Sequence, residues 1–595
     1  MRRKSSLAAA KKFAAQLADD DAPAKPARQS SRKPSKRPKS EDSSASEHEP
    51  EPTPDEPAPK RQKRTAPSKG ETQALHKSLF DTLIPPIPEA ARLPARHHAT
   101  TYHRPLLLSG PSSKDARQAL LAWFDSVSTS RNMPWRKAWI DPTSHDDPAF
   151  LRLALERRAY EVWISEIMLQ QTRVAVVIDY WNRWMAKWPG IRDLAQASPD
   201  DVLSAWRGLG YYSRATRIHE AAKLVIADKA MDGLLPSNVT ELEKNVPGVG
   251  RYTAGAICAI VFGKAAPMVD GNVLRVLSRQ LGLLGNVKSD KPTIDLLWAA
   301  ADALVKEVAK DGLPDGPIPG EEPLSDRPGR WGQALMELGS TVCTPKPNCG
   351  ECPITSTCRA YAEGQQLARK TKTPAKQVVP DIEDACTMCH PLEEAADEAP
   401  PTPAAPKVSK AKQATLAAFR FTRKTAEDEP APAPSSKPTA KELEVIVDHA
   451  RKFPLKIVKK AVREEETVVC AIRHRNQFLI HRRPEKGLLA GLWEFPSKTL
   501  PAATKKPLRT KLATAHVGDL RAEQATHVGD LGSVPWLFSH LKLTMHVHLF
   551  EVPDDCSGLP DSTATERWAT IDEVEAESMG TGMRKCWALV REAIE

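Results

Sequence analysis

Two carboxylates, four cysteines and one glycine-rich turn are the groups whose type and spacing could do chemistry. Glu166 lies in YEVWISEIMLQQT, among Trp163, Ile164, Ile167, Met168 and Leu169. Burial in such company raises a carboxyl pKa and keeps the group protonated, ready to act as a general acid. Asp270 lies in PMVDGNVLRVLSRQ, after an apolar lead-in and before a periodic helix. There it can cap a helix N-terminus, where N–H donors and the dipole favour an anion. A fixed anion could stabilise a developing positive charge. One acid kept neutral and one kept charged suit acid-assisted glycosidic cleavage. The plainer alternatives are a salt-bridged helix residue and a simple capping aspartate, and nothing in the sequence alone brings the two acids together.

Cys343, Cys349, Cys352 and Cys358 follow the spacing C-x5-C-x2-C-x5-C. Four thiolates in so short a run hold an iron–sulfur cluster or zinc. In NVPGVGRYTAGA, residues 245–256, Gly248 and Gly250 bracket a tight turn between two helical patterns. Glycine lets the backbone turn sharply and approach another molecule. The N–H groups of the turn and of the following helix can then meet a phosphate oxygen. The segment reads as a helix-hairpin-helix that grips DNA backbone, with an ordinary pair of helices as the alternative.

These groups need elements to position them. Across 104–365 apolar residues recur every three or four, as in VVIDYWNRWMAKW, and Ser198 or Asp200 can cap a helix in QASPDDVL. Strand alternation is scarce there, so an all-α domain is expected. Across 456–595, TVVCAIRHRNQFLIHRR and FSHLKLTMHVHLFEV alternate and a closing helix follows, which predicts a compact α/β domain. Residues 1–90 and 366–455 are rich in Pro, Ala, Lys and Glu; they read as a disordered tail and an interdomain linker. HVGDL occurs twice, at 516–520 and 527–531, which does not make a repeat architecture.

The 595 residues carry a formal net charge of +10, which suits a polyanionic partner. Most of the 10 cysteines lack disulfide-like spacing, so a reducing compartment is expected. No run of about 18 apolar residues offers a membrane span. The cluster PAPKRQKR, residues 57–64, reads as a nuclear localisation signal. The basic start Met1-Arg2-Arg3-Lys4 leaves a mitochondrial form open, although Asp19, Asp20 and Asp21 disfavour it.

MPWR (133–136), WISEIMLQQTRV (163–174), GLGYYSRA (208–215), VPGVGRYTAGAI (246–257), VDGNVLRVLSR (269–279), WGQALMELGSTVC (331–343), LLAGLWEFPS (488–497) and FSH (538–540) occur in that order. Together they resemble the MutY-type adenine DNA glycosylases of the endonuclease III superfamily, in their eukaryotic form. The resemblance implies an all-α helix-hairpin-helix domain with a 4Fe-4S loop and a Nudix-like C-terminal domain. It implies removal of adenine mispaired with 8-oxoguanine or guanine in double-stranded DNA, by a monomer. Glu166 would protonate adenine N7, Asp270 would stabilise the cationic sugar, and Asn272 would help place Glu166 and the attacking water. Tyr252 stands where lyase relatives carry a Schiff-base lysine, which implies a monofunctional enzyme. Arg131, Trp135, Leu169 and Gln333 would line the adenine pocket. Gln171 and Tyr211 would wedge the duplex, and Phe538, Ser539 and His540 would read 8-oxoguanine.

The first cysteine gap is one residue shorter than the family's six, and Lys346 and Arg359 near this loop could add DNA contacts. No Nudix-box run follows WEFP, so pyrophosphate hydrolysis is not expected. CTMCH (386–390) resembles the family's zinc-binding connector, with Cys386, Cys389 and His103 as ligands and His390 as a weaker one. QATLAAFRF, Gln413 to Phe421, resembles a sliding-clamp box through Gln413, Leu416 and Phe419. A thymine or oxidised-pyrimidine glycosylase of the same superfamily, or an inactive DNA scaffold, are the competing readings; the presence of both acids argues against the scaffold.

Overall fold

The computed structural model describes residues 69–80, nearly all of 91–369 except 314–323, then 386–390, 438–456 and, with short gaps, 462–595. The helical half contains α1 (Lys69–Phe80), α2 (Ser113–Val127), α3 (Pro148–Leu169), α4 (Val174–Lys187), α5 (Ile191–Gln196), α6 (Pro199–Ala205) and α7 (Ser213–Ala227). It continues with α8 (Val239–Asn245), α9 (Arg251–Ile260), α10 (Gly271–Gln280), α11 (Lys291–Lys310), α12 (Arg327–Thr341), α13 (Arg359–Arg369) and α14 (Ala440–Ala450).

Helix starts follow side-chain chemistry. Asp147 accepts from the Ala149 N–H at 2.8 Å and Pro148 opens α3. Ser198, rather than Asp200, caps α6 through the Asp201 N–H at 3.1 Å. From Tyr160 to Met168 every residue of α3 is buried, so this helix is enclosed on all sides. Two apolar clusters fill the helical half. One gathers Trp163, Trp184, Trp206 and Ile257; the other gathers Leu120, Val276, Trp331 and Leu338. Thus α3 and α9 lie in the first, α10 and α12 in the second, and the acid-bearing segments meet at their seam.

The C-terminal half is a mixed sheet of β1 (Arg463–His474), β2 (Gln477–Arg482), β3 (Trp493–Glu494), β4 (Ser497–Thr499), β5 (Thr526–Leu537), β6 (Leu541–Val552) and β7 (Glu566–Thr570). Its order is β3-β2-β1-β6-β5, with β4 paired to β1 and β7 to β2. Strands β1 and β6 run parallel from Arg463↔Leu541 to His474↔Val552. Val468, Cys470 and Ile472 face α15 (Lys506–Asp519), whereas Val469 and Ala471 face α17 (Thr581–Ile594) on the other side. This central strand is therefore apolar on both faces. A short α16 (Ile571–Ala576) follows β7.

Two boundaries differ from the sequence expectation. Helix α1 falls inside the tail expected to be disordered, yet Leu79 is 1% exposed within the second cluster. Helix α14 falls inside the expected 366–455 linker. Thr439 and Glu442 form a capping box at its start, Ile446 packs on Gly364, and His449 meets Glu363 at 2.6 Å. Composition averaged over the long segment conceals one short, capped, amphipathic helix. The basic cluster at 57–64 and the box at 413–421 lie outside the described residues.

Candidate active site

Glu166 is almost wholly buried near the C-terminal end of α3. Tyr252, the second residue of α9, donates its hydroxyl to Glu166 Oε2 at 2.6 Å, and Met336 Sδ lies 3.1 Å from the Tyr252 hydroxyl oxygen. Burial pushes the Glu166 carboxyl up to about 7; the Tyr252 bond opposes this, the Asp270 charge adds to it, and the Arg136 cation opposes it. Burial and the two acids hold the Tyr252 phenol well above its ordinary value, so it stays a donor. The carboxyl can therefore carry a proton near neutral pH and release it to a base brought against it.

Asp270 caps α10. Its Oδ1 accepts from the N–H groups of Asn272 and Val273 at 2.9 and 2.8 Å, and Oδ2 accepts from Asn272 Nδ2 at 2.7 Å. Asn272 Oδ1 accepts from Arg275 Nη2 at 2.7 Å, and Arg275 Nε donates to the Cys343 carbonyl at 2.9 Å. Asn272 was expected to help place Glu166. Among the described contacts its amide bonds Asp270 and Arg275, because Asp270 occupies the cap two residues before it. Gly339 permits this approach of α12, since a Cβ there would stand 2.7 Å from Asn272 Cβ. Gly255 of α9 likewise leaves room for the Pro267 carbonyl that leads into Asp270.

Two residues missed in the sequence complete one wall. Glu337 is buried and accepts from Arg131 Nη1 at 3.0 Å and Arg136 Nη2 at 2.7 Å. Arg136 also donates to the Ser128 carbonyl and lies over the Phe124 ring. Both were within reach of the sequence: Arg136 ends MPWR, and Glu337 follows Gln333 by one helical turn. Trp135 is buried edge-on to Trp181, and Leu169 packs against the first cluster. The Gln333 amide donates to the Gly329 carbonyl of its own helix at 3.2 Å.

The hairpin turn between α8 and α9 requires glycine at Gly248, where φ is +81°. Gly250 is in extended backbone, and nothing lies within 4 Å of its would-be Cβ. Val246 and Val249 anchor the turn in the core, and no side chain caps α9. Gln171 and Tyr211 both have left-handed backbone, with φ of +57° and +48°, and Tyr211 is half exposed. Across from Tyr211, a cleft of about 480 Å³ is lined by Arg483, Trp493, Trp536 and Phe538. Phe538 N–H donates to the Leu541 carbonyl at 2.7 Å and closes the β5–β6 turn; Ser539 and His540 lie outside the described residues. Leu489 and Leu492 insert into the first apolar cluster, and Arg207 donates to the Glu575 carbonyl at 3.2 Å, so the two halves touch beside this cleft.

The four cysteines of the 343–358 loop are partly buried and close enough to influence one another. Burial, then the neighbouring thiols, push Cys349 up to about 11; in Cys352, pushed up to about 12, a backbone hydrogen bond partly opposes them. Arg279, 2% exposed, donates to Cys343 Sγ at 3.2 Å and to the Thr344 carbonyl at 2.7 Å. The short first gap is thus a hydrogen-bonded loop, further closed by Asn348 N–H on the Val342 carbonyl at 2.9 Å. Arg359, expected near DNA, is buried against the Tyr102 ring, while Lys346 is exposed.

A second group is tighter. The ligand atoms of His98, His103, Cys386 and Cys389 all lie within 4.8 Å of one another, and no other such group of three or more occurs among the described residues. His98 Nδ1 faces the Arg96 carbonyl at 2.7 Å and His103 Nδ1 faces the Leu281 carbonyl at 2.9 Å. Each Nε2 is thereby turned toward the sulfurs. His98 is the fourth member that sequence reading missed. His390 stays outside the group, its N–H on the Leu284 carbonyl.

Residues 164–301 match the family described as HhH-GPD superfamily base excision DNA repair protein, and residues 467–589 match the NUDIX domain family. Fold, turn and acid pair define a base excision repair glycosylase of the helix-hairpin-helix class. The chain is 35% identical to the adenine DNA glycosylase of Homo sapiens over 486 residues, covering 79% of this chain and 72% of the human protein. It is 30% identical to the adenine DNA glycosylase of Schizosaccharomyces pombe over 482 residues, covering 78% and 86%. The chain belongs to the adenine DNA glycosylase family.

Proposed function

We propose that this enzyme hydrolyses the N-glycosidic bond of adenine mispaired with 8-oxoguanine or guanine in DNA. One observation carries the reading: Glu166, with its carboxyl near pKa 7, is held by Tyr252 beside Asp270. Glu166 gives its proton to adenine N7, so the base leaves with the bonding electron pair as a neutral molecule. Asp270 faces the positive charge that develops on the sugar. Water adds to C1′ and gives its proton to the Glu166 carboxylate, restoring the acid; no Schiff base forms, since Tyr252 occupies the place of the lysine. Arg131, Trp135 and Leu169 form the adenine pocket with Glu337 holding the arginines, and Gln333 completes its rim. Gln171 and Tyr211 hold the duplex open, at a flipping cost of a few kcal/mol that is lowest at a mispair. Phe538, which lines the cleft, and the following Ser539 and His540 read the opposite base.

The four-cysteine loop suits a 4Fe-4S cluster. Four partly buried thiols gather in one short loop, and burial with the neighbouring thiols disfavours charge on them unless cations stand among them. Cys343, Cys349, Cys352 and Cys358 would hold the cluster, whose chemistry here is to cross-link the loop. His98, His103, Cys386 and Cys389 suit zinc in a mixed nitrogen and sulfur set. The metal would tie the connector to the segment carrying His98 and His103, ahead of α2. Nuclear location and binding of a sliding clamp through 413–421 complete the proposal.

The test compares single-turnover base release from duplexes carrying adenine opposite 8-oxoguanine, adenine opposite guanine, and thymine opposite guanine. Adenine release lost in Glu166→Gln and in Asp270→Asn supports the reading. Thymine release, or adenine release that survives Glu166→Gln, overturns it.

A further inference from the structure

Arg214 is the second residue of α7, 9% exposed, and the reaction as described gives it no part. Its guanidinium serves six main-chain carbonyls on two separate segments. Nη1 donates to Ile167 at 2.7 Å, Gln170 at 2.9 Å and Met168 at 3.3 Å. Nη2 donates to Gly210 at 3.0 Å and Leu209 at 3.2 Å, and Nε donates to Tyr211 at 3.4 Å. The first segment is the open C-terminal end of α3, immediately before Gln171. The second is the loop that carries Tyr211.

No carboxylate pairs with Arg214 among the described salt bridges. Its charge rests on the carbonyl end of a helix, where a cation is favoured, and beside the rings of Trp206 and Tyr211 at 5.2 and 5.6 Å. Burial lowers its pKa to about 10, which still leaves it charged at neutral pH. Gln171, which follows the first three carbonyls, and Tyr211, which bears the last, are both left-handed without being glycine. Such backbone persists only where the surroundings hold it. A planar fork can bind both segments at once, whereas a lysine ammonium offers a single point of attachment.

We propose that Arg214 is a positioning residue that locks Gln171 and Tyr211 into one frame, so that the two wedge residues open the duplex as a unit. This rests on the reading of Gln171 and Tyr211 as the wedge. Arg214 touches neither adenine nor the acid pair. Its loss should therefore impair base extrusion and spare bond cleavage once the base is out.

The experiment uses the full-length, metal-loaded protein and the variants Arg214→Lys, Arg214→Met, Gln171→Ala and Tyr211→Ala. Single-turnover adenine release is measured on adenine opposite guanine and on adenine opposite an abasic site, where no partner base has to be parted. 2-Aminopurine at the target position reports extrusion by fluorescence. The expected result is a loss of about tenfold to a hundredfold for Arg214→Lys on the paired substrate, in line with what a small misplacement costs. On the unpaired substrate the loss stays within about threefold by the same argument, and the fluorescence rise on the paired duplex disappears. In the Arg214→Lys background, Gln171→Ala and Tyr211→Ala should then add less than their separate effects. Equal losses on both substrates, or no loss on the paired one, overturn the proposal. If Gln171→Ala and Tyr211→Ala leave paired-substrate rates unchanged, the wedge reading fails and the proposal falls with it. If those variants lose activity and Arg214→Lys does not, the proposal alone fails. Should Arg214→Met not fold, Arg214→Lys carries the test, because it keeps the charge.

Discussion

Glu166→Gln should make the folded enzyme more stable at pH 8 and leave its stability unchanged near pH 4. The carboxyl is held at about 7 in the folded state against an ordinary value of 4.5. A folded value above the unfolded one means that the folded protein binds the proton more tightly. Below pH 4.5 both states are protonated and ionisation of the side chain costs nothing. As pH rises toward 7 the unfolded chain ionises first, and the folded state loses stability relative to it. Above 7 the loss is complete, at roughly 2.5 units of 1.36 kcal/mol, or about 3 kcal/mol. Glutamine keeps the shape and can still accept the Tyr252 bond, but it has no charge to bury. The assay is thermal unfolding from pH 4.5 to 8, following the tryptophan-rich helical half by fluorescence. The Tm advantage of Glu166→Gln should grow by roughly 6–12 °C across that range. A difference that stays constant with pH, or a variant less stable than wild type at pH 8, would refute a buried and raised Glu166.

Tyr252→Phe removes the one bond that favours ionised Glu166, so the high-pH limb of the rate profile should move upward by about one to two pH units, measured as single-turnover rate against pH. An unmoved limb would detach Tyr252 from the acid. Gly339→Ala drives a methyl against Asn272 Cβ and should lower the rate about tenfold or more through displacement of the Asp270 cap, with the pH limb unchanged. His98→Ala should release zinc more readily to a chromogenic chelator than wild type, with the iron content unaltered; retention equal to wild type would place the metal elsewhere.

The chemistry was more legible in the sequence than the scaffolding around it. Glu166 could be read as a buried acid because five large apolar residues crowd it, and Asp270 as a cap because a periodic helix follows. Their convergence was not readable, since it depends on α3 packing across α9, from which the chain leads on to Asp270. His98 escaped notice because it stands five residues from His103 and hundreds from the cysteines it joins, a proximity that only the folded turn after α10 creates. Arg214 escaped because arginine in a polar stretch normally reads as surface, and its partners are carbonyls that no sequence pattern marks. HVGDL shows the limit plainly: its first copy ends helix α15 and its second lies in strand β5. Identical residues take opposite structures according to what they pack against.

The most direct measurement incubates a duplex with adenine opposite 8-oxoguanine and excess enzyme, then resolves the strands with and without alkali. The account predicts a break at the adenine position only after alkali, because water ends the reaction at an abasic site. Adenine left in place, or a break that appears without alkali together with an enzyme–DNA adduct trapped by borohydride, would contradict it.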